Sequence, residues 1–140
     1  MNKTFIQTNK EETKWYIIDA KNKTLGRLST QIAYILRGKN CINYTPYIEN
    51  QAYVIVINSK LINITGQKKY QKEYKRHSGR PGGLKVETFI QLQERIPNRI
   101  IEKSVKGMLP NGALGRKLFT KLKVYSNNMH PHSAQKPQII

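Results

Sequence analysis

Trp15-Tyr16-Ile17-Ile18-Asp19 is a short aromatic and β-branched run, and the polar Lys21-Asn22-Lys23 follows it; the pattern predicts a strand and then a turn. Beyond the turn Leu25, Leu28, Ile32, Ile35 and Leu36 recur at spacings of three and four, with Thr24 placed to cap and Gly38 placed to stop. That spacing predicts an amphipathic helix. Ala52-Tyr53-Val54-Ile55-Val56-Ile57 is too short and too β-branched for a comfortable helix, and its near-continuous hydrophobicity predicts a strand covered on both faces. Strand, helix, strand reads as a βαβ unit with a parallel sheet.

From Lys60 to Lys85 the apolar spacing weakens, and Gly79, Pro81, Gly82 and Gly83 punctuate the stretch as a loop whose backbone can approach another surface closely. Helical spacing returns from Val86, first through Phe89 and Ile90, then through Ile96, Ile100, Ile101, Val105 and Met108, with Pro97 suited to a helix start. Two consecutive helices are expected. Pro110-Asn111-Gly112 breaks the pattern, after which Leu114, Leu118 and Leu122 repeat every fourth residue and Arg116, Lys117, Lys121 and Lys123 occupy the other faces. Beyond Tyr125 the sequence is polar and aperiodic, with Pro131 and Pro137, and reads as an arm. The expectation is one domain over residues 1–140, with a flexible segment at 1–13 and an extended tail at 126–140.

Charge changes this picture more than composition does. The 140 residues carry 25 Lys and Arg against 8 Asp and Glu, a formal charge of +17 that repels itself in a compact state and attracts polyanions. Nucleic acid is the leading partner. No stretch approaches the roughly 20 apolar residues of a spanning helix, so binding to anionic lipid is a weak alternative. Met1 to Thr13 is short, polar and of mixed charge, unlike a signal or transit peptide, so the protein is expected to work where it is made. Cys41 stands alone, which excludes an internal disulfide and a cysteine-based zinc cage and suits a reducing interior; a small buried hydrophobe is its expected role.

Between Lys60 and Lys85 eight basic residues face only Glu73, so this stretch holds +7 of the total. A charge run is usually a solvated face. Here Lys68, Lys69, Lys72, Lys75, Arg76 and Arg80 are almost unopposed, Tyr70 and Tyr74 lie among them, and the run flows into the glycine loop. Cations neutralise phosphates, guanidinium forks grip them, and aromatic rings stack on exposed bases. Folded RNA offers all three targets.

Other constellations favour their plain readings. His77, His130 and His132 are the only histidines, and His130-Pro131-His132 lacks the cysteines and carboxylates that a four-ligand zinc site needs; a tail histidine can bond a phosphate instead. Gly38-Lys39 follows a helix, and no stretch has the spacing of a phosphate loop or a dinucleotide fingerprint. Asp19, at a strand end, has no second acid arranged to work with it, and turn bonding is its expected role. Ser78 beside His77 has no acidic orienter. No catalytic constellation, metal site or cofactor is expected.

From about Lys14 onward the chain runs through a series of ordered blocks: Trp15 to Ala20, Leu25-Gly26-Arg27-Leu28, Leu36-Arg37-Gly38-Lys39, Tyr44-Thr45-Pro46, Thr65-Gly66, Tyr74, His77-Ser78-Gly79 and Pro81-Gly82-Gly83-Leu84. The most specific come last: Val105-Lys106-Gly107-Met108-Leu109-Pro110, Leu114-Gly115-Arg116, Lys121-Leu122-Lys123-Val124-Tyr125, and His130 through Pro137. Taken in order, these blocks resemble the universal large-subunit ribosomal protein family conventionally numbered thirteen, in its bacterial and plastid form. The resemblance implies a three-layer α/β/α fold with a small, mainly parallel sheet, binding to large-subunit ribosomal RNA beside neighbouring ribosomal proteins, and a part in early subunit assembly. It implies Arg76, His77, Arg80, Lys106, Arg116, Lys117, Lys121 and Lys123 as RNA contacts, to which the charge pattern adds Lys68, Lys69, Lys75, His130 and His132. It implies Trp15, Leu28, Ile32 and Val56 as core. One block departs from the family: where an acidic-glycine-aspartate turn is common before the second strand, this chain has Glu49-Asn50-Gln51-Ala52.

The abundance of Ile, Asn, Lys and Tyr suits an AT-rich genome, so synthesis inside a plastid is expected, with a bacterial cytoplasm as the alternative. Two rival functions fit parts of the pattern. A free-standing nucleic-acid-binding regulator would use the same charge, and an α/β enzyme on a phosphorylated substrate would use the same βαβ unit, since fold does not fix function. The ordered family blocks disfavour the first and the missing phosphate loop the second.

Overall fold

The computed structural model describes residues 12–140. The expected flexible segment 1–13 therefore lies, apart from Glu12 and Thr13, outside the described residues. In chain order the elements are β1 (Lys14–Asp19), α1 (Leu25–Arg37), β2 (Ala52–Ile57), a short 3-10 turn (Ser59–Leu61), α2 (Lys68–Gln71), β3 (Glu73–His77), β4 (Leu84–Thr88), α3 (Phe89–Arg95), α4 (Asn98–Met108), α5 (Ala113–Thr120), β5 (Leu122–Val124), a second 3-10 turn (Ser133–Gln135) and β6 (Gln138–Ile139). β1, α1 and β2 form the expected βαβ unit, with β1 and β2 parallel from Lys14 opposite Ala52 to Asp19 opposite Ile57. β5 joins β2 and β6 joins β1, both parallel, giving the sheet order β5-β2-β1-β6. This is the α/β architecture expected from the sequence.

Alternation along the strands sorts their side chains onto two faces. Ile18, Val54, Val56 and Leu122 belong to one apolar cluster with Leu28, Ile32 and Leu36 of α1, Phe89 and Leu92 of α3, Ile100, Ile101 and Val105 of α4, and Leu118 of α5. Each such side chain, once fully buried, contributes roughly 1.5–3 kcal/mol. On the other face Trp15 stacks on its register partner Tyr53 at 4.4 Å between centroids, and His132 of the tail lies 5.3 Å from the same indole. Leu28, Ile32 and Val56 are buried as expected, but Trp15 is only half-buried, because its partners are a tyrosine and a tail histidine instead of the helices.

α1 ends in a Schellman arrangement. Gly38 takes φ +79, its N–H donates to the Ile35 carbonyl at 2.9 Å, and the Lys39 N–H donates to the Tyr34 carbonyl at 3.1 Å. The Asn50 amide adds a further bond to the Ile35 carbonyl at 2.9 Å. A Cβ at Gly38 would lie 2.8 Å from Asn50 Cγ, so this glycine serves both the turn and the seat of Asn50. Thr24 stands at the N-cap with extended backbone but makes no side-chain cap bond. Asp19 takes its expected turn role, accepting from the Lys21 N–H at 2.9 Å and the Asn58 amide at 2.8 Å. Those two bonds, the backbone one foremost, hold its carboxyl below the usual aspartate value.

Several sequence expectations are corrected. The stretch expected to be loop contains α2 and the antiparallel hairpin β3–β4, which polar alternation without a buried run did not signal. Val86 lies in β4, and α3 starts three residues later under a capping box between Thr88 and Gln91. Leu122 continues the four-residue spacing of α5 but belongs to β5, since α5 ends at Thr120. The tail is largely exposed, yet it returns to the sheet as β6. Cys41 is half-buried in the connection between α1 and β2, with Sγ 3.8 Å from Asn40 Oδ1, not sealed in the core.

Candidate nucleic-acid interface

The hairpin stands over α3 and α4, and a groove of about 700 Å³ lies between them. In the β3–β4 register Tyr74 faces Glu87 and Arg76 faces Lys85, so these four share one face of the ribbon, and all four line the groove. From α4 come Arg99, Glu102, Lys103 and Lys106, at relative positions 0, 3, 4 and 7, which is one helix face. The opposite face of α4 carries the buried Ile100, Ile101 and Val105. Lys75, Arg95, Asn111 and Phe119 complete the contact surface together with Leu92 and Gly107. Seven cations thus meet two carboxylates around one cavity.

The electrostatics are uneven within it. Arg95 Nη2 donates to both carboxylate oxygens of Glu87 at 2.6 Å, and this contact, ahead of the nearby charges of Arg95, Arg76 and Arg99, holds the Glu87 carboxyl below its usual value. Arg76 and Lys85 are exposed and directly opposite on the ribbon, and like charges so placed repel unless an anion lies between them. Tyr74 forms the floor. Its ring lies 5.2 Å from Lys103 Nζ and 5.7 Å from Lys72 Nζ, burial raises the pKa of its hydroxyl, and that hydroxyl has no hydrogen-bond partner among the described residues. At the far end Lys106 Nζ lies 6.0 Å from the Phe119 ring.

Of the residues expected to touch RNA, the groove brings together Lys75, Arg76 and Lys106. Lys68 and Lys69 lie exposed on α2, Arg80 at the exposed tip of the hairpin, Arg116 and Lys117 on the outer side of α5, and Lys123 half-exposed on β5. His77 is exposed, and its Nδ1 accepts from the Gly79 N–H at 2.9 Å, which orders the hairpin tip. His130 and His132 are tied into the tail: His132 Nε2 lies 2.7 Å from the Tyr125 hydroxyl, and the His132 N–H donates to His130 Nδ1. Tyr70 is 69% exposed and available for stacking, whereas Tyr74 is a core residue at 9%.

Lys121 is a correction. It is 4% exposed, and its ammonium meets the Asn50 carbonyl at 2.5 Å, Glu49 Oε1 at 2.8 Å and Gln51 Oε1 at 3.4 Å. Three donors find three oxygens, so no phosphate can reach it. The divergent Glu49-Asn50-Gln51 segment is the other half of this contact. Sequence reasoning missed Lys85, Arg95, Arg99 and Lys103. The signal for two of them was present: Arg99, Lys103 and Lys106 share one face of a helix whose other face is isoleucine and valine.

The family model described as ribosomal protein L13 matches residues 13–131. Among curated relatives, large ribosomal subunit protein uL13c of Pyropia yezoensis is 67% identical over 138 residues, covering 99% of this chain and 97% of the relative. The uL13c protein of Gracilaria tenuistipitata var. liui is 61% identical over 140 residues, with 100% and 98% covered. Large ribosomal subunit protein uL13 of Acaryochloris marina (strain MBIC 11017) is 60% identical over 141 residues, with 100% and 93% covered. With its βαβ sheet, its basic hairpin groove and these matches over nearly its whole length, the chain belongs to the ribosomal protein L13 family.

Proposed function

We propose that this protein is a structural constituent of the large ribosomal subunit, binding large-subunit ribosomal RNA beside neighbouring ribosomal proteins and supporting early subunit assembly. The observation that carries the reading is the groove between the hairpin and α4, where seven cations face two carboxylates, in a chain of the ribosomal protein L13 family. Phosphates of folded RNA relieve the repulsion between Arg76 and Lys85 and occupy Lys75, Arg99, Lys103 and Lys106. The exposed cations of the hairpin tip, α2, α5 and β5 (Arg80, Lys68, Lys69, Arg116, Lys117 and Lys123) extend the contact, and His77, His130 and His132 lie at its margins. The work is binding, not catalysis. Among the described residues no helix is long and apolar enough to cross a membrane, and no group of three or more His, Cys, Asp and Glu could hold a metal ion.

Residence in a plastid ribosome is part of the proposal. It is supported by the 61–67% identity to three proteins bearing the uL13c name, against 56–60% for five named uL13. The test is sedimentation of an organelle lysate through a salt-washed gradient with immunodetection of this chain. Co-migration with the large subunit is the expected result. Recovery at the top of the gradient overturns the reading in favour of a free-standing regulator.

A further inference from the structure

Glu102 does not suit a groove that only neutralises phosphate. It is half-buried in the wall supplied by α4, with Arg99 three residues before it and Lys106 four residues after it, both at helix spacings where ion pairs form. Yet it makes no hydrogen bond or ion pair with any described residue, whereas the other acid of the groove, Glu87, is locked to Arg95. An ionised carboxylate is an acceptor only, and it repels a phosphate brought close to it. What it can bind is a donor, and the donors of RNA within reach of such a pocket are the N–H groups of bases and sugar hydroxyls.

Three features of the cavity fit a base. Its volume, about 700 Å³, lies in the range of pockets that enclose a small ligand. Arg99 offers an exposed guanidinium plane one turn before Glu102, a surface on which an unstacked base can lie. Lys103 and Lys106, on the same helix face, can take the flanking phosphates. Guanine alone among the four bases presents two adjacent donors, N1–H and N2–H2, on its pairing edge, matching the two oxygens of one carboxylate; adenine and cytosine offer a single amino group there.

We propose that the groove receives the base of one unpaired guanosine of the bound RNA, read on its pairing edge by the Glu102 carboxylate. This rests on the RNA-binding reading above and adds to it a base preference and the residue that sets it.

The test uses the full chain and labelled short oligouridylates carrying a single central guanosine, adenosine, cytidine or uridine, compared by fluorescence anisotropy at low salt, with large-subunit ribosomal RNA as a further probe. The guanosine oligomer is expected to bind about tenfold more tightly than the other three. Glu102→Gln should abolish that preference, while Glu94→Gln, which makes the same charge change outside the groove on α3, should preserve it. Equal affinity for all four oligomers, with Glu102→Gln tightening each alike, overturns the proposal in favour of a groove for phosphates only. A guanosine preference that survives Glu102→Gln overturns the role of Glu102. Failure to bind either the oligomers or the ribosomal RNA overturns the RNA-binding reading itself, and the inference with it.

Discussion

The ammonium of Lys121 donates to the backbone carbonyl of Asn50 across 71 residues of sequence, and the Asn50 side chain in turn donates to the carbonyl of Ile35 at the end of α1. One short segment therefore joins the last turn of the βαβ helix, the entry to β2 and the start of β5. Removing the ammonium leaves the buried Asn50 carbonyl without its donor and Glu49 without its cation. Lys121→Met is expected to cost about 2–3 kcal/mol of stability. Arg99→Ala, an exposed groove position, should change stability by no more than about 0.5 kcal/mol and weaken RNA binding. Urea unfolding and filter binding on the two variants check the separation.

The same segment predicts a coupling between Gly38 and Asn50. Gly38→Ala places a side chain in left-handed backbone, which costs about 1–2 kcal/mol, and also drives the new Cβ against Asn50. In an Asn50→Gly background the collision disappears, because the Asn50 Cβ at 2.9 Å goes together with the Cγ at 2.8 Å, and only the backbone cost at Gly38 remains. A double-mutant cycle by thermal or urea unfolding should therefore show the Gly38→Ala penalty shrinking when Asn50 is absent. Strict additivity would mean that Asn50 moves aside freely.

Groove cations should be visible in salt dependence. Replacing Arg99, Lys103 and Lys106 together by Ala should lower the slope of log affinity against log salt by about 2–3, since each lost phosphate contact is worth about 0.7–0.9. An unchanged slope would place the phosphates elsewhere, on α5 or the hairpin tip.

Acid stability should carry the signature of Asp19. Its carboxyl is held below the usual aspartate value by the Lys21 N–H and the Asn58 amide. The ionised form is thus favoured in the folded state, so its stabilisation is fully present above the unfolded value of about 3.9 and fades as pH falls through the lowered folded value. Asp19→Asn is expected to be less stable than the parent at neutral pH and to converge with it on acidification. A stability difference that stays constant from neutral to strongly acidic pH would contradict this.

Where burial followed a simple period, the sequence was legible. Leu25 to Leu36 and Ala52 to Ile57 announced α1 and β2, because one face of the first and nearly all of the second are in the core. The hairpin was hidden for the opposite reason: in β3 only Tyr74 is buried, and the brief Leu84, Val86 alternation of β4 is exposed and runs straight into the helical spacing of α3. Lys121 and Leu122 extend the periodicity of α5 by one turn, and nothing local distinguishes a helix that continues from one that gives way to a strand. The candidate site was legible in its sign and its hairpin half. Apart from Lys106, which the family resemblance supplied, its α4 half was read as core, since Ile100, Ile101 and Val105 dominate the pattern and conceal the cationic face behind them.

The sheet order β5-β2-β1-β6 also sets a sequence of events for a chain emerging from its N-terminal end. The two strands made first occupy the centre, and their mutual pairing lies wholly within residues 14–57, with α1 as the connection between them. Each later strand adds at an outer edge, β5 beside β2 and then β6 beside β1, so no strand has to be threaded between two already paired. Addition of β5 brings Lys121 to Asn50, and until that moment the Asn50 carbonyl has only water for a donor. The nascent domain can grow outward by accretion, with Lys121 as the catch that closes its middle stage and the β6 edge left for last.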